Sequence, residues 1–338
     1  MSIPRPRWHT LFIAALTLGL LWLFFRNIEL HATWQAIAHA RLGLIFAAVL
    51  VTLMTYVLRA WRWQALLRPI GHARFRTAFR TTVIGFAATF LLPGRIGEVL
   101  RPYLLARTEG FKATATFATV IVERLLDVCT VVMLFAVALP FVNVDVGREV
   151  KTASAIAVAG SLALLVLLFM LAGHPERLGQ WAGKLARHLP ARIAEVTEQL
   201  VRTFAEGLKV MRHPGQLVLA AFWSVPLWSS IALGVWLTSL AFDLTFPFMG
   251  SFLVLALLAA GVSLPTPGGV GGFHYTYLLA LTQFFGAPRE ASAAAALVLH
   301  AVSFVPVTLV GLVFMWQDGL TLGSLKGMRA EAEEAEKT

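Results

Sequence analysis

Hydrophobic positions in this chain are massed into long runs, not spread in the stripes of a soluble helix or the alternation of a strand. Runs of about 17 to 25 residues can cross a hydrocarbon core as helices. Such runs occupy residues 8–25, 42–58, 113–142, 153–173, 216–240 and 291–316. Two further stretches, 77–106 and 246–285, read as a helix, a Pro/Gly break and a second short apolar helix. Polar residues are confined to connections, to a stretch over 176–213 and to a charged tail over 321–338. Within 176–213, Ile193, Val196, Leu200, Phe204, Leu208 and Met211 recur at three-to-four spacing. That pattern predicts amphipathic cytoplasmic helices, either lying on the membrane surface or packed on the bundle as a helical loop. The predicted fold class is an all-α polytopic membrane protein, with a single transmembrane domain over 1–320. It would hold about six full transmembrane helices plus two re-entrant or broken helical hairpins.

The two breaks are copies of one another. Pro93-Gly94-Arg95-Ile96-Gly97-Glu98 and Pro267-Gly268-Gly269-Val270-Gly271-Gly272 align without a gap through Ala106 and Ala280, and Tyr103-Leu104-Leu105 matches Tyr277-Leu278-Leu279. The repeat copies centre on 77–142 and 246–316. A Pro-Gly interruption in corresponding positions of two halves points to a binding site at a repeat interface.

Composition narrows the class. With 58% hydrophobic and 14% charged residues and ten tryptophans, the chain is no soluble globule. A formal net charge of +10 would suggest nucleic acid in a soluble protein, but here its placement is a topology signal and no nucleic-acid partner is expected. The N-terminus, the 59–80 loop, 101–112, 177–212 and the C-terminus hold most of the 28 Lys and Arg residues, whereas Arg26, Arg41, Arg148, Lys151 and Arg289 fall on the other side. The positive-inside rule then places both termini in the cytoplasm. The two hairpins would enter from opposite faces as an inverted pair. The first apolar run lacks a small-residue cleavage site and is expected to be retained. Trp61, Arg62 and Trp63 read as an aromatic-basic interfacial anchor, with substrate binding the alternative. The single cysteine, Cys129, lies in an apolar run and carries no disulfide framework.

Candidate chemistry sits at the first break and in the run after it. Arg95, Glu98 and Arg101 flank the break; Glu123, Arg124 and Asp127 lie near mid-bilayer in the 113–142 run. A charge at that depth costs on the order of 3 kcal/mol, so this set requires partners or a wet cavity. It is either an ion network locking the hairpin to the neighbouring span, or a site whose guanidinium groups receive a phosphate while carboxylates balance them. Gly94, Gly97, Pro267, Gly268, Gly269, Gly271 and Gly272 are candidate backbone and gate positions, or else serve close helix packing. Where the first copy has Arg95, Glu98 and Arg101, the second has Gly269, Gly272 and Tyr275. His274, His300 and Tyr275 are further candidates, with hydrogen-bonded packing the alternative for the histidines. No metal-ligand spacing, nucleophile set or cofactor fingerprint accompanies them, so the expectation is a protein that is not an enzyme and holds neither metal nor cofactor.

Leu92 through Arg101, then Val122-Glu123-Arg124-Leu125-Leu126-Asp127, then Pro267-Gly268-Gly269-Val270-Gly271 before a last apolar span resemble the lysylphosphatidylglycerol synthase transmembrane region, a flippase-like family. The resemblance covers roughly residues 10 to 320. It implies the membrane half of the multiple peptide resistance factor without its synthase domain, that is, a lipid translocase working by alternating access. The implied partners are membrane lipids (an anionic or aminoacylated phospholipid, or a lipid-linked saccharide) and a separate lipid or glycan synthase. Arg95, Arg101 and Arg124 would bind the headgroup phosphate, with Glu98, Glu123 and Asp127 balancing charge or carrying protons. A non-transport membrane component supporting a synthase encoded elsewhere is the alternative.

Overall fold

The computed structural model describes residues 8–92, 95–142, 214–264 and 266–321, together with 152, 155–156, 158–163, 166 and 323. The rest of the expected span at 153–173, the amphipathic stretch at 176–213, Pro93, Gly94 and the tail apart from 321 and 323 lie outside the described residues.

The described residues are helical, without strands. Helices α1 (Trp8–Phe25) and α2 (Leu30–Ala38) meet at a 79° bend. Helix α3 (Leu42–Leu67) is followed by α4 (Phe75–Leu91), α5 (Ile96–Glu109) and α6 (Ala113–Ala138). After the undescribed segment come α7 (Pro214–Ala241), α8 (Gly250–Ser263), α9 (Gly272–Phe285) and α10 (Arg289–Gln317). Among the described residues three helices, α3, α7 and α10, are long and apolar enough to cross a membrane, and the bent α1–α2 pair makes a fourth if it is one span. Helix α6 has the same 26 residues as α3, but Glu123, Arg124 and Asp127 interrupt its apolar run.

Two expectations need correction. Residues 30–38 form a short helix instead of a plain connection; Leu30, Trp34 and Ile37 share one face at helical spacing. Helix α3 also runs beyond residue 58, so Arg59 and Arg62 lie within it and not in a basic loop. The anchor reading of Trp61-Arg62-Trp63 holds only for Trp61, which is 41% exposed. Arg62 and Trp63 are wholly buried. Carboxylates on α6 balance the Arg62 charge, which is why it tolerates that depth.

Helices α3 and α7 run antiparallel. Arg41, which precedes α3, donates its backbone N–H to the Ala241 carbonyl at 2.9 Å and pairs with Asp243; midway, Thr55 and Ser230 share a hydrogen bond of 2.8 Å. Helices α4 and α10 are likewise antiparallel. Arg80 reaches Asp318 at 2.6 Å at one end, and Phe90 meets Phe304 edge-on at 4.4 Å towards the other.

Both broken segments fold as helical hairpins. The ends of α4–α5 are joined by Arg74–Glu109 at 3.2 Å, and the ends of α8–α9 by Phe246 stacked on Phe285 at 4.7 Å. Each hairpin is drawn together by glycine. A Cβ on Gly97 would overlap the Gly85 carbonyl oxygen, and one on Gly272 would overlap that of Gly261. One helical turn on, Arg101 packs against Gly85 as Thr276 packs against Gly261. The hairpins therefore correspond one residue out of register with the gapless match, which pairs Gly97 with Gly271 and Arg101 with Tyr275.

Candidate functional site

The site is built outward from α6. Glu123 and Asp127, four residues apart, share one face. Both carboxylates are buried, and Arg side chains from two other helices close on them. Glu123 Oε1 lies 2.8 Å from Arg101 Nη1, 2.9 Å from Arg124 Nη2 and 3.2 Å from Arg62 Nη2. Asp127 Oδ1 accepts from Arg62 at 2.6 Å and from the Trp228 indole at 2.9 Å, while its Oδ2 lies 3.5 Å from Arg124. Arg62 also donates to Ser224 at 3.1 Å. The Arg101 guanidinium lies 3.8 Å over the Trp63 ring, whose indole N–H donates to Thr119. One carboxylate thus ties α3, α5 and α6 together, and the second adds α7.

In front of this layer lies a cavity of about 300 Å³. Arg59, Arg95, Glu98 and Arg124 supply its charged wall, and Gly268 and Gly269 bring in the second break. Leu255, Leu258, Val262, Phe273, Leu299 and Phe304 supply an apolar wall. Both hairpins therefore contribute to one cavity, beside the charged face of α6.

The breaks also touch directly. Arg95 donates from Nη2 to the Val262 carbonyl at 2.7 Å, in the last turn of α8, where helix carbonyls lack intrahelical partners. Arg95 sits at φ 52°, a left-handed conformation costly for a residue with a Cβ. Arg95→Gly and Arg95→Ala both lose the guanidinium, but only the glycine variant sheds the strain. The glycine variant should be the more stable of the two by about 1 kcal/mol, seen as a higher thermal midpoint in detergent.

At the second break Gly268 and Gly269 have φ of 58° and 69°. His300 Nε2 is 2.9 Å from the Gly268 carbonyl, and His274, stacked on His300 at 4.6 Å, accepts from the Gly271 N–H at 3.4 Å. The histidines brace this break from behind; neither lines the cavity.

The structure thus divides the sequence candidates. Arg95, Glu98, Arg124, Gly268 and Gly269 face the cavity. Arg101, Glu123 and Asp127 form the buried layer behind it. Gly97 and Gly272 serve backbone contact within hairpins, and Gly271, at φ 85°, lies against Leu20 of α1. Pro267 is exposed in the short turn Pro267–Gly269, and Tyr275 is half-buried on α9 outside the cavity lining. Arg59 and Trp228 were not among the sequence candidates, and Arg62 was read first as an interfacial anchor. The available signal was the length of α3: a helix long enough to continue past residue 58 carries Arg59 and Arg62, three residues apart, toward α6. Among the described residues no group of His, Cys, Asp or Glu could hold a metal ion.

The sequence matches the family described as Lysylphosphatidylglycerol synthase TM region over residues 10–311. A UPF0104 membrane protein of Methanocaldococcus jannaschii is 24% identical over 283 residues, covering 80% of this chain and 83% of the relative. Another UPF0104 membrane protein, from Methanothermobacter thermautotrophicus, is 26% identical over 300 residues, covering 83% of this chain and 85% of the relative. Glycosyltransferase AglD of Haloferax volcanii is 25% identical over 335 residues, covering 89% of this chain; the match takes in 52% of that protein, about half its length.

Proposed function

The chain belongs to the lysylphosphatidylglycerol synthase transmembrane-region family, and from that premise we propose that it is a lipid translocase, not an enzyme. It passes a phosphate-bearing headgroup through the cavity between its two hairpins. The observation that carries this reading is the convergence of both breaks and the guanidinium groups of Arg59, Arg95 and Arg124 on one cavity with a charged and an apolar wall. Such a cavity suits an amphiphile, with the phosphate at the arginines and the first methylenes against Leu255, Leu258 and Phe304.

Two contacts support an inverted pair of re-entrant hairpins. The α4–α5 hairpin closes at Arg74–Glu109, near the end of α3, whereas α8–α9 closes at Phe246–Phe285, just after the end of the antiparallel α7. Entering from opposite faces, they meet at Arg95 and Val262. In this scheme six full spans surround the pair, both termini are cytoplasmic and the host is a bacterial-type inner membrane. The breaks are the moving parts, and the Arg62, Arg101, Glu123 and Asp127 layer is the fixed support.

The test is lipid movement by purified protein in vesicles, followed with a short-chain fluorescent phospholipid. Arg95→Ala combined with Arg124→Ala should slow translocation by about tenfold or more, since each guanidinium offers charge-assisted hydrogen bonds to the phosphate. A rate equal to wild type would remove the site. The likeness to a glycosyltransferase favours a second reading, a membrane component that serves a lipid or glycan synthase. Under that reading vesicles containing this protein alone move no lipid, and Arg124→Ala lowers folded yield instead of rate.

A further inference from the structure

The charged groups at the site do not balance. Glu123 is engaged by Arg62, Arg101 and Arg124, Asp127 by Arg62 and Arg124, and Glu98 by Arg95 at 3.8 Å. Arg59 is left over. It is 8% exposed and lines the cavity, and among the described residues its Nε and Nη1 have no hydrogen-bond partner and it forms no ion pair. Two ring faces flank it, Phe86 at 4.9 Å and Trp228 at 5.9 Å, and the carboxylate that acts on it most, Asp127, is already engaged by Arg62 and Arg124. In the buried layer Arg62 and Arg101 match Glu123 and Asp127. On the cavity wall three guanidinium groups face one carboxylate, so the surplus of two positive charges falls where a ligand would sit.

A net surplus of two positive charges around a cavity of a membrane protein is costly, and a bound dianion offsets it where a monoanion offsets half. We infer that the cavity takes a lipid whose headgroup is a phosphate dianion, a phosphomonoester or a diphosphate, with Arg59 as a direct phosphate-binding residue. This inference rests on the cavity being the lipid site of the translocase reading and specifies its substrate class. A phosphodiester lipid brings one negative charge. A lysylated phosphodiester brings a net positive charge and is disfavoured in this cavity, despite the name of the family.

Binding to the full-length protein in detergent tests this without requiring transport. The probes are dioctanoyl phosphatidic acid, dioctanoyl phosphatidylglycerol and inorganic pyrophosphate. Near pH 8, above a second phosphate ionisation of about 6, phosphatidic acid is a dianion and should bind about tenfold more tightly than phosphatidylglycerol. At about pH 5 it is a monoanion, and the preference should vanish. Glu98 is the one described carboxylate on the cavity wall, and His274 and His300 stand behind Gly268, so phosphatidylglycerol run over the same range reports any change in the protein itself. Arg59→Gln should abolish the preference by weakening phosphatidic acid binding about tenfold more than it weakens phosphatidylglycerol binding, and Arg59→Lys should keep the preference because it keeps the charge. Equal affinity for the two lipids near pH 8, or a full preference in Arg59→Gln, overturns the inference. If Arg59→Gln does not fold, the pH comparison in the wild type decides. Pyrophosphate binding as tight as phosphatidic acid overturns the lipid assignment in favour of a free anion. A protein that shows the dianion preference yet moves no lipid in vesicles overturns the translocase reading and leaves this inference standing.

Discussion

Glu123→Gln is expected to destabilise the protein by about 3–5 kcal/mol, the range for removing one partner from a buried ion network. Its side chain is 0% exposed and one of its oxygens lies within 3.2 Å of three guanidinium groups on α3, α5 and α6. Without its charge, Arg62 and Arg124 still have Asp127, but Arg101 is left with no ion pair among the described residues. The reference is Asp243→Asn. Its pair with Arg41 is exposed on both sides, and exposed pairs contribute about 0–1 kcal/mol. Thermal midpoints and the monodisperse fraction in detergent measure both variants. Arg101→Met added to Glu123→Gln should recover part of the loss, because it removes one of the unpaired charges along with the stacked guanidinium. Equal midpoints for Glu123→Gln and Asp243→Asn would mean that the network does not hold the helices. Translocation should fall as well, since Arg124 belongs to both the network and the cavity wall.

The sequence made visible what depends on local pattern, and hid what depends on which helix lies opposite. Long apolar runs, Pro-Gly breaks and the Glu123-Arg124-Asp127 set each break or obey a rule along one segment, so the membrane class, the helical hairpins and a charge set within one helix could all be read. Arg62 could not. A basic residue between tryptophans near the end of an apolar run has the pattern of an interfacial anchor, and only the packing of α3 against α6 shows that two carboxylates receive it. Arg59 is harder still, because its significance is the lack of a partner. The one-residue offset between the repeats has a similar origin. Sequence matching aligns the Pro-Gly pairs, whereas hairpin packing selects whichever glycine faces the opposing carbonyl, Gly97 in one copy and Gly272 in the other.

Gly97→Ala is the second change expected to have a large effect, at or above the upper end of the roughly 1–3 kcal/mol typical of overpacking. The added Cβ would overlap the Gly85 carbonyl oxygen and the Thr89 hydroxyl. A side chain can rotate away, but a carbonyl inside α4 cannot move without opening the helix or displacing it from α5. Displacement would carry Arg95 and Glu98, at the start of α5, out of register with Val262 and the second break, so lipid movement should be lost even in protein that still folds. Gly272→Ala should act similarly from the other hairpin, through the Gly261 carbonyl. Gly43→Ala, in α3 with nothing within 4 Å of the new Cβ, should be neutral or up to about 1 kcal/mol stabilising, because alanine is the better helix former. Melting midpoints and vesicle transport rates for the three variants separate a general intolerance of change from a specific need for backbone contact. Wild-type behaviour in Gly97→Ala would show that α4 and α5 need not touch. Loss at Gly97 and Gly272 with none at Gly43 would tie both hairpins to one requirement: each must close on itself before the breaks can meet at a common cavity.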